Sequence, residues 1–334
     1  MVKEFLFLCG RIRALESKLL THAQIDRMIG AKSPEEAFRV LTELQYAERF
    51  VEATKPQDYF QIIREGLLET KAMIVSGTDN DKAFEFIWKQ FDLSNIKRAL
   101  KLKLVDGKTE LGDFSESDGF AFMGSLTAQE IEAAVFAGKD KPLPREYRAA
   151  VLNAKEVYKK TKSFRNVEFL LDNAHFKFLQ RIASTPFLKE LLIHRADGTN
   201  LRSAARSLLV WEDKLPKAAV LPGGSISAEL LSSIENKEQL LNAFLGCPEF
   251  LHFADIIRDD KKLPEEILIT LERAIHAGVI KMISHMEESD IGSVIVPMVY
   301  LQKRIRNASR IKFVMAAKFY GIAPEKIYET LKHF

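Results

Sequence analysis

The sequence predicts an all-α protein assembled from three related helical units, and three observations carry that expectation. Apolar residues recur near a 3.6-residue period along the whole chain. No stretch sustains the period-2 alternation of a half-buried strand. Two short phrases also recur in the same order about a hundred residues apart. With 334 residues, the spacing divides the chain into units at 1–110, 111–214 and 215–334.

The first helical pattern runs from Phe5 to about Ile29, with Arg11, Arg13, Glu16 and Lys18 interleaved among apolar residues. Ser33 is a suitable N-cap for the next helix. Pro34 occupies the first helical position, where a missing N–H costs nothing, and Glu36 stands at the box position. Further helices are expected over about 56–75 and 81–91. From Phe91 to Gly107, Leu93, Ile96, Leu100 and Leu104 form one stripe, with Lys97, Arg98 and Lys101 on a neighbouring face. Asp92 and Asn95 stand ahead of this apolar run, where short polar side chains cap a first turn. Gly107 suits the C-terminal cap.

Glycines, serines and aspartates crowd residues 106–126, which mark the first boundary. Thr127 with Glu130 spells a capping box. Pro142 and Pro144 break the chain before a helix pair expected at about 145–162 and 164–183. A second linker, 213–225, holds Pro216, Pro222, Gly223 and Gly224. Helices then follow at about 228–233, 237–245, 264–287 and 299–319, with a last one from Pro324.

The first repeated phrase is Asp92-Leu93-Ser94-Asn95-Ile96-Lys97-Arg98-Ala99, matched 105 residues later by Asp197-Gly198-Thr199-Asn200-Leu201-Arg202-Ser203-Ala204. The second is Gly124-Ser125-Leu126-Thr127-Ala128, matched 100 residues later by Gly224-Ser225-Ile226-Ser227-Ala228. A weaker third copy of the first phrase lies at Arg306–Lys312, where the acid is gone. Each copy carries cations: Lys97, Arg98 and Lys101, then Arg202 and Arg206, then Arg306 and Arg310. These are read either as solvated helix faces or, given their recurrence, as surfaces for a partner, and Arg11 and Arg13 of the first helix are partner-interface candidates beside them.

Net charge is +3 with 28% charged residues, too mild to imply nucleic acid. The two cysteines, Cys9 and Cys247, suggest neither a disulfide framework nor a metal site, and so a reducing compartment. The longest apolar runs, Phe5–Cys9 and Val294–Leu301, fall far short of the roughly 20 residues that span a bilayer. The start of the chain does not read as a secretory signal. Gly107-Lys108-Thr109 imitates the end of a phosphate loop, but Leu102 stands where its first glycine belongs. The seven histidines include no i, i+4 pair, and there is neither a nucleophile elbow nor a dinucleotide fingerprint. No catalytic residue, metal or cofactor is expected.

Together the phrases resemble the C-subunit of the prokaryotic V-type (archaeal-type) rotary ATPases, whose counterpart in the eukaryotic vacuolar enzyme is the d-subunit. The matching residues are Arg11-Ile12-Arg13-Ala14-Leu15-Glu16 with Leu19-Leu20, the Asp92–Lys97 phrase, Asp197 with Asn200-Leu201-Arg202, Leu221-Pro222-Gly223-Gly224, and Arg310-Ile311 through Gly321. The likeness covers nearly the whole chain. It departs from the family in the third unit, where Ile305–Asn307 carries no acid.

The resemblance implies an all-helical funnel of pseudo-threefold symmetry, peripheral and seated on the cytoplasmic end of a membrane rotor ring of proteolipid subunits. The foot of the central shaft would sit in the funnel, so that ATP hydrolysis or synthesis is linked to proton or sodium ion transport. The protein itself would be non-catalytic, with protein partners and no small-molecule substrate. A helical-repeat scaffold for a soluble protein is the alternative, although solenoid periods are roughly 20–50 residues.

Overall fold

A computed structural model describes residues 2–43, 55–78, 82–112, 121–251, 253–259, 261–289 and 294–331. Among them every regular element is helical. In chain order these are α1 (Val2–Glu16), α2 (His22–Gly30), α3 (Pro34–Glu43), α4 (Tyr59–Gly77), α5 (Lys82–Leu104), α6 (Ala128–Val135), α7 (Arg145–Thr161) and α8 (Phe164–Ile182). They continue with α9 (Pro186–Val210), α10 (Ala228–Ser232), α11 (Lys237–Leu245), α12 (Phe253–Arg258), α13 (Pro264–Ser289), α14 (Ile295–Phe319) and α15 (Pro324–Leu331). No helix of the described residues is long and apolar enough to cross a membrane.

Helix ends written locally in the sequence form as expected. The Ser33 hydroxyl accepts from the Glu36 amide, and Thr127 and Glu130 close their box in both directions. Gly107 takes a left-handed φ of 66°, which turns the chain at the end of the helix so that Lys108 N–H reaches back to the Leu102 carbonyl at 2.9 Å. Two expectations fail. The pattern from Phe5 to Ile29 is two helices, because Thr21 forms a capping box with Gln24 and starts α2. The cap reading of Asp92 fails as well: α5 runs unbroken from Lys82, which puts the acid in mid-helix, and its repeat counterpart Asp197 likewise stands in the middle of α9. At only six residues, α12 is too short for its periodicity to mark it in the sequence.

The chain divides by packing into two compact units, one of residues 1–84 with 283–334 and one of residues 85–282. In the first, α14 packs against α1, α3 and α4. Its interior includes Ile12 of α1, Met73 of α4, and Val296 and Tyr300 of α14. Arg304, also on α14, is buried and donates to the Gly66 carbonyl (3.0 Å) and the Thr70 hydroxyl (3.2 Å) of α4.

In the second unit, α7 and α8 form a helical hairpin joined through Lys162 and Ser163. The apolar core gathers Leu201 of α9, Phe244 of α11, Ile257 of α12, Leu271 of α13 and the intervening Phe250. Burying each such side chain fully is worth about 1.5–3 kcal/mol. Both complete copies of the repeated phrase lie in this unit and the weaker third copy in the other.

Candidate functional site

The two repeated phrases meet. Asp92 is fully buried, and its carboxylate accepts from the Ser125 hydroxyl (2.6 Å), the Leu126 N–H (2.9 Å) and the Lys89 ammonium (2.9 Å). One turn on, Asn95 donates to the Ala121 carbonyl at 2.9 Å. In the second copy Asp197 accepts from the Ser225 hydroxyl (2.6 Å), Ser225 N–H (2.8 Å) and Ile226 N–H (3.3 Å). Asn200 there exchanges two hydrogen bonds with the Leu221 backbone, at 2.8 and 3.0 Å. The acid and amide of each helix therefore staple the loop that delivers the next helix, whose first turn Thr127 or Ser227 caps. A buried backbone with no other partner needs such acceptors.

The glycine of the second phrase has the same origin in both copies. A Cβ on Gly124 would stand 2.4 Å from Asp92 Oδ1, and one on Gly224 would stand 2.3 Å from Asp197 Oδ1. Only glycine admits the carboxylate this closely.

The copies differ in charge. Lys89, three residues before Asp92, completes an ion pair with it. The residue three before Asp197 is His194, which instead engages Glu249 and the Ile275 carbonyl and stacks on Phe250. Among the described residues no cation pairs with Asp197. Its charge is felt nearby: burial first, then Asp197 and Glu249, push the Cys247 thiol up to about 11. Both cysteines are free and buried.

On α9, Asp197 and Asn200 face the stapled loop, while Thr199, Arg202, Ser203 and Arg206 face the other way. These four line a cleft of about 430 Å³ together with Lys97 of α5, the α8 stripe Arg165, Glu168, Phe169 and Asp172, and Trp211. Ala219 and Leu221 of the stapled loop complete its wall, which Asn173 of α8 also ties through the Ala218 carbonyl at 2.9 Å. The Arg165 guanidinium lies 4.2 Å over the Trp211 ring. Lys97 pairs with Asp172 at 2.7 Å, and Arg202 with Glu272 at 3.0 Å. Burial raises the Asp172 carboxyl above its ordinary value, against the opposing pull of Lys97.

The cations singled out from sequence thus separate into groups. Lys97, Arg202 and Arg206 come together at the cleft. Lys101 is exposed on α5, and Arg98 is half-buried. Arg11 and Arg13 are exposed on α1, where Arg13 bonds Glu16 at 2.8 Å. Arg306 is exposed on α14. Arg310 is half-buried, and burial followed by repulsion from Arg306 lowers its pKa. Sequence reasoning missed Lys89 and the α8 stripe, although the stripe's i, i+3, i+4, i+7 spacing marks one helix face.

A second buried network braces α5 against the helical hairpin. Tyr147 OH and His175 Nδ1 lie 2.6 Å apart, and Tyr147 reaches the Lys89 carbonyl at 3.4 Å. Burial holds His175 well below its ordinary pKa, so the ring is neutral at pH 7 and this contact carries no charge.

The family model for the ATP synthase (C/AC39) subunit matches residues 8–330, nearly the whole chain. The chain belongs to the ATP synthase (C/AC39) subunit family. Members are non-catalytic subunits of the A/V-type complex. Among curated relatives, the C-subunit of the A-type ATP synthase of Pyrococcus abyssi is 23% identical over 96% of this chain and 88% of its own length. The Thermococcus kodakarensis counterpart is 22% identical with the same coverage. The C-subunit of the V-type ATP synthase of Deinococcus radiodurans is 22% identical over 98% of this chain and 91% of the relative.

Proposed function

We propose that this protein couples the central shaft of an A/V-type rotary ATPase to its membrane rotor ring, as a peripheral socket on the cytoplasmic face. Three helical units, 1–110, 111–214 and 215–334, would be arranged about a pseudo-threefold axis to form a funnel around the shaft. The observation that carries the reading is the family match over residues 8–330. The repeated staple adds mechanical support. A helix that holds its following loop through buried carboxylate and amide groups resists shear better than one joined by a solvated loop, because such groups are costly to unpair. Torque transmission needs that stiffness.

The exposed cations Arg11, Lys101 and Arg306 are the proposed partner contacts, with Arg13, Arg98 and Arg310 beside them on their helices. Lys97, Arg202 and Arg206 would act from the cleft. The test is a pull-down of the tagged chain from solubilised membranes. Ring proteolipids and shaft subunits are expected to co-purify, and the triple variant Arg11→Glu, Lys101→Glu, Arg306→Glu should lose most of the ring while keeping its helical circular dichroism. Recovery of the tagged chain without ring or shaft proteins would overturn the coupling role.

A further inference from the structure

We propose that the cleft between α8, α9 and the 219–221 loop binds a phosphate group, as free inorganic polyphosphate or as the phosphate end of a nucleotide. The inference does not rest on the coupling role. Charge accounting motivates it. Lys97 is neutralised by Asp172 and Arg202 by Glu272, which leaves Arg165 and Arg206 facing the single carboxylate Glu168.

The donors are unused as well as uncompensated. Arg165 Nε is buried with no hydrogen-bond partner, while its guanidinium plane is fixed over Trp211 at 4.2 Å. Among the described residues, the Arg206 guanidinium and the Thr199 and Ser203 hydroxyls have no hydrogen-bond or ion-pair partner. A buried donor without an acceptor is costly to keep, so Arg165 Nε, with the unpaired donors of Arg206, Thr199 and Ser203 beside it, is poised for an acceptor-only ligand.

Geometry separates phosphate from other anions. Arg165 approaches from α8, while Arg206, Thr199 and Ser203 sit on one face of α9 at i+7, i and i+4. Donors from two helices surround a tetrahedral oxyanion more completely than a planar carboxylate. Guanidinium forks match phosphate oxygens in pairs. A volume of about 430 Å³ lies within the roughly 300–1,000 Å³ of small-molecule sites, larger than one phosphate needs and enough for two or three in a chain. Arg165 already occupies one face of Trp211, and the unpaired donors of the cleft are all suited to phosphate oxygens, which makes the phosphates the recognised part.

Isothermal titration of the full chain with sodium pyrophosphate, at matched ionic strength, tests this directly. Saturable binding with a Kd below about 1 mM is expected. Arg206→Gln and Arg165→Gln should each weaken it about tenfold or more, and the Thr199→Val, Ser203→Ala pair severalfold. Adenosine triphosphate without metal distinguishes the sources: equal affinity points to phosphate alone, and tighter binding with adenosine inactive points to a nucleotide. Citrate should bind far more weakly. Absence of saturable pyrophosphate binding, equal affinity for citrate, or binding unchanged in Arg206→Gln variants that melt like the parent would each overturn the assignment.

Discussion

The staple at Asp92 and the staple at Asp197 solve one geometric problem with different electrostatics. Both place a carboxylate in mid-helix, three residues before an asparagine, under a loop whose glycine admits it. At Asp92 the ammonium of Lys89 shares the load. At Asp197 two backbone amides and one hydroxyl carry the charge alone, and the residue in the lysine's place, His194, has turned to Glu249. The element common to both copies is thus the shape of the loop held by its acceptor. The counter-ion is replaceable, because oriented N–H donors can solvate a buried carboxylate.

The largest effect should come from removing the acids. Asp92→Ala leaves the Lys89 ammonium, itself only 12% exposed, without its carboxylate and is expected to cost about 3–5 kcal/mol. Asp197→Ala leaves neutral donors only and should cost about 2–3 kcal/mol. Urea unfolding of the two variants side by side measures the gap, and equal losses would break the electrostatic distinction. Next come the glycines. Gly124→Ala and Gly224→Ala force a methyl into a carboxylate oxygen in both copies, so both should lose about 1–3 kcal/mol, with similar values because this part of the device is shared. The smallest effect sharpens the charge argument. In Asp197→Asn the Cys247 thiol should fall below its value of about 11, and alkylation at pH 8–9 should quicken, while Asp92→Asn leaves that rate unchanged. A rate at Cys247 insensitive to Asp197→Asn would show that burial and Glu249, and not Asp197, set the thiol.

What the sequence made legible was local. Ser33, Thr127 and Gly107 end or begin helices by contacts within six residues, and such signals survive without tertiary knowledge. The repetition of Asp92–Ala99 and Gly124–Ala128 was also plain, but its meaning lay in a hydrogen bond spanning 33 residues, which no local rule supplies. Reading Asp92 as a cap required a helix to stop near Phe91. Nothing between Lys82 and Leu104 breaks one, since the segment holds neither glycine nor proline. The cleft was half legible. Lys97, Arg202 and Arg206 were marked by their recurrence, whereas Arg165 and Trp211 belong to no repeated phrase and meet only through packing of α8 against the end of α9.

The claim on which the comparison rests is that the helix acid and the loop serine form one energetic unit. A double-mutant cycle on Asp197→Ala and Ser225→Ala, read by urea unfolding, addresses it without intermediaries. A coupling energy of about 1–3 kcal/mol is expected for partners 2.6 Å apart. Losses that simply add, with coupling within about 0.3 kcal/mol of zero, would mean that the repeated phrases share a place in the chain and no common function in holding it together.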